Sequence, residues 1–341
     1  MKIQKNILLA PYTTFKIGGA AKFFCEVKNE EEILEALKFA REKNLSVFVL
    51  GGGSNLLVSD KGFDGLVIKI QNSKFKIQNL LVECGAGIAL SKAVNELTKF
   101  GLTGLEWAAG IPGGTIGGAV RGNAGAFGSS MGEIVESVKA LEISKNSCHS
   151  EPRLLSRGEE SRANSRSFST GSFASAYQPL LRMTAEDCQF SYRNSIFKHN
   201  PNLIILSATL KLKKGNKVES EKKIKEILAM RKEKQPMEFP SPGSFFKNPI
   251  TKDKKLIRQF EIDTGKKLKD NKIPAGYLID QLDLRGKRIG GAMVSEKHAN
   301  FIVNTSNANA ENVIMLTAII KTKVRNKFGI QLQEEVQMVG F

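Results

Sequence analysis

GIPGGTIGGAVRGNAGAFG, residues 110–128, places eight glycines in 19 positions. Each glycine gives up backbone entropy on folding and offers no side chain to bury, so the stretch is predicted to form neither a packed strand nor a stable helix. Something must come close to this backbone. Bare N–H groups in glycine loops cradle phosphates, and a second such loop, GGGSNLLVSD, begins at Gly51 directly after the apolar run SVFVL. The usual phosphate fingerprints fail. GGGSNL and GAGIAL (85–90) both lack the third glycine of G-x-G-x-x-G, and neither loop supplies the Lys-Ser/Thr of a P-loop. Two glycine-dense loops remain, about 60 residues apart. They could embrace a pyrophosphate from opposite sides, or they could be tight turns packed backbone to backbone.

The rest of the chain narrows the class. With 341 residues, 41% of them hydrophobic, two or three domains are expected. No run reaches the roughly 18 apolar residues of a membrane span, and MKIQKNILLAPYTTF has no signal-peptide core, so a soluble cytoplasmic protein is expected. Cys25, Cys84, Cys148 and Cys188 form no C-x-x-C and read as buried thiols. The three histidines, His149, His199 and His298, occur in no zinc or triad motif, so no metal is expected. The net charge of +17 is concentrated in 211–235 and 247–272, where acids interrupt the lysines. That pattern reads as a solvated helix face, with an anionic small substrate as the alternative; no nucleic-acid motif accompanies it.

Along the chain, NEEEILEALKFAREKN has the periodicity of an amphipathic helix, with Ile33, Leu34, Leu37 and Ala40 on one face. The runs SVFVL, GLVIKI and LLVECGAGI read as strands, followed by a helix over 91–100. From about 144 to 182 the sequence turns Ser/Arg-rich without a period of 2 or 3.6, which predicts an exposed, disordered insertion. LIILSATLKLK resumes the strand pattern and closes a first domain near residue 213, in two lobes of about 1–70 and 71–213. The remainder, 214–341, reads as a smaller α+β unit. Its helices are expected at 219–234, DKKLIRQFEI, AGYLIDQL and 309–328, with strands at ANFIVN and IQLQEEVQMVG.

TTFKIGG, GGGSNLLVSDKGFDGLVI, GLEWAAGIPGGTIGGAVRGNAGAFG, SYRNS, PGSFFKNP, PAGYLIDQLDLRGKRIGGAMVSEKHANFIVN and LQEEV follow one another in this order. The series resembles the UDP-N-acetylenolpyruvoylglucosamine reductase family over nearly the whole chain except the Ser/Arg-rich segment. The resemblance implies a two-part FAD-binding domain of the vanillyl-alcohol-oxidase type followed by a smaller α+β substrate-binding domain. It assigns cofactor contacts to Gly51, Gly52, Gly53, Ser54, Asn55 and Leu56 in the first loop. In the second loop it assigns them to Pro112, Gly113, Gly117, Gly118, Asn123, Ala124 and Gly125. With no His or Cys in those loops, the FAD is expected to be non-covalent.

The family reaction implies two hydride transfers: NADPH reduces FAD, and the flavin delivers hydride to the methylene carbon of an enolpyruvyl UDP-sugar. By resemblance, Arg193 grips the carboxylate, Ser244 donates a proton to the adjacent carbon and Glu335 supports the developing enolate. Glu335 is selected over Glu334 because Leu332 and Val336 set the register; the familiar form carries Glu where this chain has Gln333. Tyr192, Lys247, Asn248 and Gln281 match positions that contact the sugar nucleotide. No segment aligns with the tyrosine-bearing loop of the family's longer type, which implies the shorter, second type, acting as a monomer without nucleic-acid or membrane partners. The alternatives are a related flavin oxidoreductase of another substrate class and a basic nucleic-acid-binding protein.

Overall fold

The structure, a computed structural model, describes residues 1–143 and 177–341. Its first sheet orders the strands Gln4–Leu8, Ala20–Val27, Phe63–Ile70 and Ser46–Leu50. The first pair is antiparallel, while Ala20–Val27 and Ser46–Leu50 both run parallel to Phe63–Ile70. Helix α1 (Glu30–Glu42) makes the crossover. Its start is capped by the Asn29 side chain, which accepts from Glu32 N, and three glutamates sit in the first turn where the helix dipole favours them. Ile33, Ala36, Leu37 and Ala40 face inward, as their spacing predicts.

A second, antiparallel sheet orders Tyr177–Thr184, Val135–Ile143, Leu203–Lys211, Leu81–Gly85 and Phe75–Gln78. Ile68 of the first sheet and Val82, Val138 and Ala208 of the second share one core, joined by α2 (Leu90–Lys99). Cys25, Cys84 and Cys188 are buried, and burial pushes their thiols up to about 12, so they stay protonated. Cys148 lies outside the described residues.

Most of the expected disordered insertion, from 144 to 176, also lies outside the described residues. Its expected end at 182 is corrected: Tyr177–Thr184 is a strand paired with Val135–Ile143, and Leu181 and Met183 pack on the core. Two alternating apolar positions are too few to stand out beside a Ser/Arg-rich tract.

The expectation that 110–128 holds no helix is also corrected, because Ile116–Gly122 forms α3. Ile116, Ala119 and Val120 bury its inner face, Thr115 caps its start and Asn123, at φ 41°, ends it in the left-handed region. Tertiary packing and two caps thus outweigh the poor helix propensity of its glycines. A single turn, α4 (Ile196–His199), follows the SYRNS loop, with Phe197 in the core.

Helix α5 (Lys217–Lys234) packs on α2 and on the short 3₁₀ turn Glu106–Ala108, with Ile227 in the shared core. A division after residue 213 therefore precedes a helix that belongs physically to the earlier core. Beyond it, α6 (Lys254–Thr264), α7 (Ala275–Asp280), α8 (Ala310–Phe328) and a three-stranded sheet enclose a separate core around Phe245, Phe246, Ile279, Val313 and Leu316. Phe15, Ile17 and Leu57 enter that core from the N-terminal side. The expected strand over 330–340 is shorter: only Gln337–Val339 is strand, pairing in parallel with Leu56–Val58. Residues before it lie against 245–247 instead, with Lys247 N donating to Gln333 O at 2.9 Å and Glu335 N to Phe245 O at 2.8 Å.

Thr115 Oγ1 accepts from Gly118 N at 3.3 Å. Thr115→Ala removes this cap from a helix that is weak by composition, and is expected to lower stability by about 1 kcal/mol, read from the urea unfolding midpoint.

Candidate active site

Both glycine loops meet. Gly51–Gly53 carry the chain from Ser46–Leu50 to Leu56–Val58, and a Cβ on Gly52 would overlap the carbonyl oxygen of Gly113. A Cβ on Gly51 would stand 2.8 Å from Thr115 Oγ1, and one on Gly117 2.8 Å from Ala86 Cβ. Gly53 combines φ +69° with a clash against Tyr12 O, so it too is fixed by backbone from elsewhere in the chain. These glycines let loop pack on loop. Gly118 and Gly122 differ: a Cβ on Gly118 would meet only Thr115 Oγ1, at 3.3 Å, and one on Gly122 nothing within 4 Å. Both face a cleft of about 850 Å³, within the roughly 300–1,000 Å³ of ligand sites.

Gly52, Ser54, Asn55, Pro112, Gly113, Gly118, Ala124 and Gly125 line this cleft. Gly51, Gly53, Leu56, Gly117 and Asn123 are not part of its lining. The Asn123 side chain ties the end of α3 to the SYRNS loop, donating to Ser191 O at 2.8 Å and accepting from Gly132 N at 2.9 Å. Asn55 reaches across the molecule to donate to Glu335 O at 3.1 Å, while Asn55 O accepts from Gln337 N at 3.0 Å.

Arg193, Ser244 and Glu335 line the same cleft. Arg193 sits at φ +54°. Its Nε is 2.8 Å from Glu335 Oε1, and its Nη2 donates to Gly125 O at 2.8 Å. Burial pushes the Glu335 carboxyl up, against the opposing pull of Arg193, Lys198 and Lys247. Lys198 carried no motif in the sequence beyond its nearness to SYRNS, yet its Nζ donates to Arg193 O at 2.8 Å and it lines the cleft. Burial lowers its ammonium to about 8; Lys247, Arg121 and Arg193 repel it, while Glu335 opposes the shift.

The Ser244 segment is clamped by Asn300, another residue that the sequence did not single out. Asn300 Nδ2 donates to Phe246 O at 2.8 Å, Phe246 N donates to Asn300 Oδ1 at 3.0 Å, and Phe245 N donates to Asn300 O at 2.7 Å. Tyr192, Lys247 and Asn248 sit beside the cleft rather than in its lining. Asn248 N donates to Tyr192 Oη at 3.4 Å, and Asn248 Oδ1 accepts from Ala275 N at 3.0 Å. Gln281 is not brought to the cleft: its amide turns to Asp263 Oδ2 at 3.4 Å, and its carbonyl accepts from Lys327.

Among the described residues no helix is long and apolar enough to cross a membrane. A family model described as "FAD binding domain" matches residues 21–147, and one described as "UDP-N-acetylenolpyruvoylglucosamine reductase, C-terminal domain" matches 235–339. The chain is 35% identical to the UDP-N-acetylenolpyruvoylglucosamine reductase of Caldanaerobacter subterraneus, covering 99% of this chain and 94% of the relative. It is equally similar, at 35%, to that of Solibacter usitatus, over 100% and 97% of the two chains. The crystal structure of the reductase from Thermus caldophilus superposes with a TM-score of 0.71 at 30% identity, covering 99% of each chain. With full-length identity at this level and the same fold throughout, the chain belongs to the UDP-N-acetylenolpyruvoylglucosamine reductase family.

Proposed function

We infer that this chain reduces the enolpyruvyl group of UDP-N-acetylglucosamine enolpyruvate to UDP-N-acetylmuramate, a peptidoglycan precursor, using FAD and NADPH. The observation that carries this reading is the meeting of Arg193, Ser244 and Glu335 in the cleft that both glycine loops line. FAD suits that cleft: a Cβ on Gly122 would project into open space, and one on Gly118 would meet only the Thr115 hydroxyl, so both present bare backbone to it. The lining holds neither His nor Cys, which supports non-covalent binding. We also read the protein as a cytoplasmic monomer, with a flavin unit over 1–213, on whose core α5 packs, and a substrate unit over 214–341.

Bound in this cleft, FAD would supply the hydride chemistry between NADPH and the methylene carbon; the protein's own residues would manage the negative charge on the neighbouring carbon and carboxylate. Glu335 and Gly125 O anchor one side of the Arg193 guanidinium, leaving its remaining N–H groups to hold the substrate carboxylate as a fork. Lys198 adds a second cation beside it. Ser244 Oγ donates the proton to the carbon next to the carboxylate, and the surrounding cations reduce the cost of the alkoxide left behind. Glu335, its carboxyl raised by burial, holds the guanidinium in place and offers a hydrogen bond to the enolate when protonated. Tyr192, Lys247 and Asn248 meet the sugar nucleotide at the mouth of the cleft. Gln281 joins them only through a movement of its side chain away from Asp263.

Gly118→Val fills cleft space without striking the protein's own backbone, so a folded protein with much reduced FAD content is expected. Stoichiometric flavin in folded Gly118→Val protein would rule out this placement of the cofactor.

Ser244→Ala is expected to bind FAD and be reduced by NADPH at the wild-type rate. Its reoxidation by the enolpyruvyl substrate should slow by roughly 100- to 10,000-fold, the range for loss of a positioned general acid. Ser244→Cys should recover part of that rate. Stopped-flow absorbance of the flavin separates the two half-reactions, and normal reoxidation in Ser244→Ala would remove Ser244 from the mechanism.

Lys198 is cationic below its pKa of about 8 and neutral above it. Affinity for the anionic substrate should therefore be retained below that pH and fall as pH rises through it, seen as a rising KM. In Lys198→Met this rise should disappear, with KM already high at pH 7; an unchanged pH profile would exclude Lys198 from carboxylate binding.

A further inference from the structure

On α5 the inward positions Ser220, Ile227 and Arg231 fall at helical spacing, while Lys222, Lys223, Lys225, Lys232 and Lys234 are exposed. The solvated-face reading thus fits those lysines but not Arg231, which is only 7% exposed. A buried guanidinium keeps its charge, because arginine cannot discharge, and a buried charge without compensation is strongly destabilising. Among the described residues no carboxylate pairs with it. Its contacts are weak and neutral: Nη2 donates to Trp107 O at 3.3 Å, Nη1 to Gln235 Oε1 at 3.4 Å, and its carbon centre lies 5.3 Å from the Phe127 ring centroid. The buried Nε has no hydrogen-bond partner. Burial alone lowers its pKa, with no acidic neighbour to oppose the shift.

Arg231 also lines the cleft. A Cβ on Gly110 would stand 3.0 Å from its Cδ, so its stem lies against the first residue of the second glycine stretch. Its neighbours Trp107, Gln235, Phe127 and Gly110 are shared with neither Arg193 nor Glu335, whose polar side-chain contacts are with each other and with Gly125. We propose that Arg231 is a phosphate-binding residue for the flavin dinucleotide, supplying the positive charge that the glycine loops' neutral N–H groups lack.

The proposal rests on the cleft being the FAD site, and the test separates the two. Apo-protein is titrated with FAD and with riboflavin, which lacks phosphate, following flavin fluorescence. Arg231→Gln should weaken FAD by about 10- to 100-fold, the loss expected for a charge-assisted phosphate contact, with riboflavin affinity unchanged. Arg231→Lys, which keeps the charge but not the fork, should fall between, and it carries the test if the glutamine variant does not fold. FAD affinity within twofold of wild type would overturn the proposal, as would equal losses for FAD and riboflavin, which indicate a packing defect. An increased KM for NADPH or for the UDP-sugar with unchanged FAD affinity would assign the charge to another phosphate and overturn it too. Wild-type protein that takes up no FAD would instead defeat the reading of the cleft itself.

Discussion

The architecture depends on a backbone-to-backbone contact. Gly52 and Gly113 come so close that a single Cβ on Gly52 would overlap the opposing carbonyl oxygen. Because this contact belongs to the polypeptide itself, it brings together a parallel-sheet loop and the segment leading into α3 before any ligand is considered. The same loops then present Gly118 and Gly122 to the cleft, where no backbone from elsewhere in the chain crowds them and only the Thr115 hydroxyl stands near Gly118. Glycine does two different jobs within one stretch: some residues close the wall and others leave it bare.

Around the other part of the cleft the organising term is charge under partial burial. Glu335 is held among Arg193, Lys198 and Lys247, and burial and those cations pull its acidity in opposite directions. Lys198 feels the converse: burial and three like charges make it a weaker base, while Glu335 opposes them. An arrangement with more cations than anions is poorly balanced when empty and suits an anionic substrate. Asn300 supplies the mechanical counterpart by fixing both backbone groups of Phe246, and so the residue following Phe245 in the Ser244 segment.

Local periodicity made much of this legible. The Ile33–Ala40 face of α1, the apolar strands and the long C-terminal helix follow from residue spacing alone, and the glycine loops announce themselves by composition. What remained hidden depends on partners distant in sequence. Helix α3 exists because Ile116, Ala119 and Val120 find a core, which propensity does not reveal. Residues 330–336 alternate like a strand but are held by the 245–247 segment instead. Lys198 and Arg231 look like ordinary surface cations until the fold buries them, and the Asn300 clamp appears only when its two strands of chain are side by side. The order of motifs groups Arg193, Ser244 and Glu335 by resemblance; the contact that joins Arg193 to Glu335 is a property of the fold alone.

The bond from Asn55 to Glu335 spans 280 residues of sequence, and the neighbouring strand Gln337–Val339 completes the same closure against Leu56–Val58. Such non-local pairing must overcome the entropy of closing the intervening chain. The first glycine loop is therefore held at its far side by the last part of the chain, in contacts that only the completed fold contains. A ligand that needs this loop in its native shape binds the completed molecule in preference to partly folded forms, and mass action then makes its concentration a determinant of how long the chain survives. Scarcity of flavin would be felt as protein turnover as well as lost catalysis.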